Sequence, residues 1–83
     1  MDFWAEWCGP CQAMLPVLEE FSNDVEGKVT VAKVNVDECP DLASQFRIMS
    51  IPTLMVFQDG AMKEMLIGGQ SKEKLAEVCA KYM

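Results

Sequence analysis

Two short runs, Val29–Val36 and Thr53–Phe57, are apolar on both of their alternating faces. A strand of that pattern wants cover on each side, which places it inside a sheet rather than at a wet surface. The segments around these runs supply the cover. From Pro10 to about Val25 the apolar residues Met14, Leu15, Leu18 and Phe21 recur at three- and four-residue steps, which predicts a helix. Pro16 lies within it and predicts a kink, and Gly27 suits its stop. Residues 1–5 read as a strand entering a turn, and Asp37–Phe46 as a turn and short helix. Asp59-Gly60 is a hairpin signal that returns the chain as a partner strand. Ser71 to Lys74 opens a last helix with Leu75, Val78, Cys79 and Tyr82 on its apolar stripe.

The expected fold class is therefore α/β. It has a mixed four-stranded sheet (strands about 1–5, 28–36, 53–58 and 62–67) with helices at about 10–25, 40–46 and 71–82. The first strand, helix and second strand form a crossover unit, expected to be parallel and right-handed. At 83 residues the chain is read as one domain, 1–83.

Thirteen acidic residues stand against seven basic ones, a net charge of −6 without a basic cluster, so a phosphate backbone is repelled and nucleic acid is not an expected partner. No run reaches the roughly 20 apolar residues that span a bilayer, and Met1-Asp2-Phe3-Trp4 lacks the form of a secretory signal. The expectation is a cytoplasmic protein with no membrane partner.

Histidine is absent, which removes the commonest general base and the commonest metal ligand. Chemistry here must run on thiols, carboxylates and lysine. Cysteines stand at 8, 11, 39 and 79. Cys8-Gly9-Pro10-Cys11 falls where the first strand gives way to the helix. Two cysteines three apart at a helix start share a face and are close enough to bond. The leading one also meets unpaired amide groups and the positive end of the helix dipole, which stabilise a thiolate relative to the free value of about 8.5. A thiolate is the attacking species in disulfide exchange. A Cys-x-x-Cys pair by itself leaves half a zinc site open as an alternative; its place between strand and helix in a short α/β chain favours redox chemistry. Cys79 reads as buried and inert, Cys39 as exposed before Pro40, and neither completes a metal site with the first pair.

Phe3-Trp4-Ala5-Glu6-Trp7-Cys8-Gly9-Pro10-Cys11 closely resembles the active-site segment of the thioredoxin family. So do Pro16, Val31-Ala32-Lys33-Val34-Asn35-Val36-Asp37, Ile51-Pro52-Thr53 and Gly68, in order along the chain. The resemblance implies a thiol–disulfide oxidoreductase, a protein-disulfide reductase with a reducing poise and no cofactor beyond its own disulfide. It implies that Cys8 is the exposed attacking cysteine and Cys11 the resolving one. Asp2 is then the buried carboxylate that relays the proton for Cys11, and Lys33 its charge partner. Pro52 matches a cis-proline whose neighbour Ile51 offers backbone bonds to a peptide. Trp7, Gly9, Pro10, Gly68 and Gly69 complete the substrate groove. Implied partners are disulfide-containing proteins and an electron donor resembling thioredoxin reductase.

The family carries a further strand and helix before the position matching Asp2, so a truncated version of the fold is expected. The face left to residues 40–46 and the edge of strand 29–36 are then expected to be covered by self-association as a homodimer or by another chain, the alternative being a marginally stable monomer in which the short helix and loops settle over the gap. Two other function classes compete: a redox-inactive binding module, distinguished by an ordinary Cys8 thiol, and a thiolate metal site shared between chains, distinguished by metal analysis.

Overall fold

The computed structural model describes residues 1–82. The elements run β1 (Asp2–Trp4), α1 (Gly9–Asp24), β2 (Lys33–Asn35), α2 (Pro40–Gln45), β3 (Thr53–Gln58), β4 (Ala61–Ile67) and α3 (Lys72–Cys79), closed by a 3-10 turn over Ala80–Tyr82. The four strands form one sheet in the order β2-β1-β3-β4. β1 and β2 are parallel, as a strand–helix–strand crossover requires, and both other pairings are antiparallel. Asp59 and Gly60 take φ of 56° and 81°, the left-handed pair that a two-residue hairpin turn needs.

The second strand is much shorter than its composition predicts. Residues 29–32 lie outside the ladder, and only Lys33–Asn35 pair with β1. The bond from the Asp2 amide to the Ala32 carbonyl, 2.8 Å, is the outermost on that side. A strand is a property of a pair of segments, so β-branched composition without a neighbouring backbone does not make one. β2 is also an edge strand rather than an interior one, and Val34 alone is buried in it.

Cover on the two sheet faces is unequal but present on both. On one, Met14, Leu18 and Phe21 of α1 meet Leu54 of the sheet and Leu75 and Cys79 of α3. Lys72 reinforces the helix pair through ion pairs to Glu20 (2.7 Å) and Asp24 (3.0 Å). Helix α3 starts at a Ser71 cap whose side chain accepts the Lys74 amide, and ends before Tyr82, which donates to Glu64 instead of joining the apolar stripe. On the other face Phe3 and Met55 are buried under Leu42, Phe46 and Ile48. The Phe46 ring stands 5.8 Å from Phe3 and 5.7 Å from Phe57, in tilted and edge-on contact. The short helix and its following loop thus bring one large aromatic ring over the face left to residues 40–46, as the monomer alternative has it.

Candidate functional site

The site forms where β1 runs into α1. The chain leaves β1 at Trp4, passes the buried Ala5, and turns through Glu6 and Trp7 into the helix, with Cys8 as its cap. A cap residue needs extended backbone and a side-chain acceptor for an orphan amide, a place usually taken by Ser, Thr, Asp or Asn. Cys8 meets both conditions: its φ and ψ are −91° and 109°, and its Sγ accepts the Cys11 amide at 3.2 Å. Gly9 and Pro10 follow in the first turn, both exposed, where the missing proline donor leaves no bond unmade.

Cys8 and Cys11 are joined as a disulfide, their Cα atoms 5.2 Å apart. Cys11 is fully buried and Cys8 is 6% exposed. The expectation of an exposed Cys8 is corrected: its sulfur is packed with Ala5, Trp4, Val36 and Ile51. It is still the outer of the pair, flanked by exposed Trp7, Gly9 and Pro10.

The loop before β3 closes the other side. Cys8 Sγ lies 3.8 Å from the Ile51 carbonyl oxygen, and the Ile51–Pro52 peptide is cis, as the resemblance implied. Two bonds fix this loop: the Gly68 amide donates to the Pro52 carbonyl at 2.8 Å, and the Thr53 hydroxyl donates to the Ser50 carbonyl at 2.6 Å. Gly68 has φ of 91°, a conformation that calls for glycine, and Gly69 follows it at the surface.

Trp7 is 70% exposed, and its Nε1 donates to the Asp37 carboxylate at 2.8 Å. Sequence reasoning assigned Asp37 no role. The local signal was partial: Asn35 Oδ1 accepts the amides of Asp37 and Glu38, an Asx-type turn typical of such residues. That the turn aims Asp37 at a ring thirty positions earlier is a tertiary fact.

Asp2 lies in β1, 1% exposed, and neither carboxylate oxygen has a hydrogen-bond partner among the described residues. Burial pushes its pKa up to about 6, against the opposing pull of the Met1 amino group and Lys33. It lies on the wall of a cavity of about 420 Å³ between the sheet, α1, α3 and residues 28–32. Lys33 is paired with it in register, yet the lysine is exposed and forms no ion pair with Asp2 among the described residues. The expectation that the strand carrying Lys33 lies inside the sheet is corrected: β2 is the edge strand, where a lysine can keep its charge in water.

Of the remaining cysteines, Cys39 is exposed and Cys79 buried, both free, and burial pushes the Cys79 thiol up. Among the described residues no group of three or more cysteine, aspartate or glutamate side chains is placed to hold a metal ion, and no helix is long and apolar enough to cross a membrane.

A family model described as Thioredoxin matches residues 1–81. Proteins named thioredoxin from Staphylococcus saprophyticus, Staphylococcus haemolyticus and Staphylococcus aureus are each 52% identical to this chain. Each match spans all of this chain and 80% of the relative.

Proposed function

The chain belongs to the thioredoxin family and is a thiol–disulfide oxidoreductase whose redox group is its own cysteine pair; from this we propose that it serves as a protein-disulfide reductase, with Cys8 attacking, Cys11 resolving and Asp2 handling the Cys11 proton. The observation that carries the reading is the cap: the Cys8 sulfur accepts an amide at the amino end of a sixteen-residue helix. Both that amide and the helix dipole favour a negative sulfur.

In the reduced protein, Cys8 thiolate attacks one sulfur of a substrate disulfide, forms a mixed disulfide, and expels the other substrate sulfur as thiolate. Cys11, losing its proton, then attacks Cys8 Sγ and releases the second substrate thiolate. Two electrons pass to the substrate and the Cys8–Cys11 bond is formed. Asp2 suits the base's part because its pKa of about 6 lies close to neutrality, where a base is both available and strong enough. Lys33 acts on Asp2 through space, as a positioning charge. Trp7, Gly9, Pro10, Ile51, Pro52, Gly68 and Gly69 form the substrate surface around the sulfurs, and an electron donor resembling thioredoxin reductase restores the dithiol.

The same reading makes residues 1–83 one domain acting in the cytoplasm. Homodimerisation through the free edge of β2 belongs to it as well, supported by the edge position of that strand. Sedimentation equilibrium at low micromolar concentration is expected to show dimers, and a stable monomer there removes this element. The central test is insulin disulfide reduction with dithiothreitol as electron source. Wild type is expected to accelerate it and Cys8→Ser to be inert. Activity retained in Cys8→Ser, or an ordinary Cys8 thiol titration in the reduced protein, overturns the mechanism.

A further inference from the structure

Side chains alternate along β1: Phe3 turns to the face covered by Phe46, so Asp2 turns to the face covered by α1 and α3. On that face lies the cavity of about 420 Å³, with Leu18 and Phe21 of α1, Leu54 of the sheet and Leu75 of α3 among its walls beside Asp2. Its remaining wall is the strap of residues 28–32, from which Val29 and Val31 pack against the core. The strap is held at its ends. The Lys28 and Val29 amides donate to the Val25 carbonyl at 2.9 and 3.0 Å, and the Asp2 amide to the Ala32 carbonyl at 2.8 Å. Among the described residues no backbone hydrogen bond holds Thr30 or Val31 between them. The middle of the strap can therefore shift without breaking one, which gives the cavity an entrance.

The other polar groups on these walls are already occupied, neutral or in water. The Met1 amino group donates to the Met55 carbonyl at 2.8 Å, and the Tyr82 hydroxyl to Glu64 at 2.6 Å. Burial keeps the Cys79 thiol protonated, and Lys28, like Lys33 on the edge strand, is exposed. Asp2 is different: its carboxylate is buried and meets no donor among the described residues. We propose that this cavity is a binding site for a small primary amine on an apolar body, the body lying under Val29 and Val31 and the ammonium donating to Asp2. The apolar walls reward the body by area removed from water. Folding has already stripped water from the carboxylate, so binding adds only the desolvation of the ammonium. A charge-assisted bond to an otherwise unpartnered group then favours an amine over an alcohol of the same shape. The site does not depend on which sulfur attacks, and it lies on the sheet face away from Phe46.

The test uses the oxidised protein with phenethylamine and 2-phenylethanol, titrated by NMR at pH 7.5 and pH 5. The amine is expected to bind at pH 7.5 with a Kd of about 1 mM, about tenfold tighter than the alcohol. At pH 5, below the Asp2 pKa of about 6, the two are expected to bind about equally. By linkage, saturation with the amine should lower the Asp2 titration midpoint by about one pH unit. Asp2→Asn is expected to keep alcohol binding and lose the amine preference. Val29→Phe, which fills the cavity from the strap, is expected to weaken both ligands by about tenfold. Overturning results are no saturable shift at the cavity walls up to about 10 mM, equal affinities at pH 7.5, an amine preference that survives Asp2→Asn, or binding untouched by Val29→Phe. Each leaves the oxidoreductase reading intact, because insulin reduction is measured separately.

Discussion

Cys8 and Asp2 bracket the same passage from strand to helix, both are buried, and the fold treats them in opposite ways. The sulfur is met by the Cys11 amide and sits at the positive end of α1. The carboxylate, almost wholly hidden, is met by no donor among the described residues, and its pKa rises to about 6. Burial alone therefore does not decide whether a group tolerates charge; the donors around the charged form decide it. The contrast also suits a division of labour, because one group must be anionic to attack while the other must be willing to hold a proton.

The largest expected effect breaks the sulfur side. Cys8→Ser removes the attacking thiolate, and insulin reduction is expected to fall to the uncatalysed background. Cys11→Ser keeps the first attack and loses the second, so a mixed disulfide with substrate is expected to accumulate as a stable adduct visible by mass spectrometry. Equal trapping by the two variants would erase the distinction between outer and inner sulfur.

The carboxylate side breaks differently, because Asp2→Asn is expected to slow the protein while stabilising it. Loss of the base should slow release of the mixed disulfide by about 10²-fold near pH 7, the lower end of what general bases contribute. The stability effect has the opposite sign. The folded pKa is raised from 3.8 to about 6, so this group favours the fold most below about pH 4, and its contribution is lost as pH climbs through 6. At pH 8 the ionised carboxylate costs on the order of 3 kcal/mol, which Asn avoids. For a chain of this size that is a large share of total stability. Urea unfolding of both proteins at pH 4 and pH 8 should show curves that differ little at the lower pH and separate at the higher one. A constant difference across pH would mean that Asp2 does not titrate on folding.

The legible parts of this molecule were those written locally. Asp59-Gly60 announced its turn, Ser71 its cap, and Cys8-Gly9-Pro10-Cys11 its place at a helix start, because each depends on a few neighbouring residues. Residues 29–32 misled for the complementary reason: they have strand composition, but strand formation waits on a partner backbone, and β1 supplies one only from Asp2 onward. The same cause moved Lys33 to the outside, since a charge that looks trapped in a buried strand is merely at the edge of a short one. Phe46 and Asp37 were silent in sequence because their partners, Phe3, Phe57 and Trp7, lie far away along the chain.

The smallest effect is the sharpest test of how Lys33 reaches Asp2. The lysine lowers the Asp2 pKa through space, yet it is solvated and makes no ion pair with that carboxylate. A charge acting through water is weak and salt-dependent, because screening operates over about 10 Å at 0.1 M ionic strength. Lys33→Met is therefore expected to raise the Asp2 titration midpoint by only a few tenths of a pH unit, followed by carbon-detected NMR of the carboxyl, with the difference shrinking further in 0.5 M salt. A rise of a full pH unit or more, indifferent to salt, would mean that the ammonium turns inward in solution and pairs with the carboxylate. In that event the two sites contrasted above would be alike, each with a dedicated partner for its negative charge, and the reluctance of Asp2 to ionise would need another cause than its want of donors.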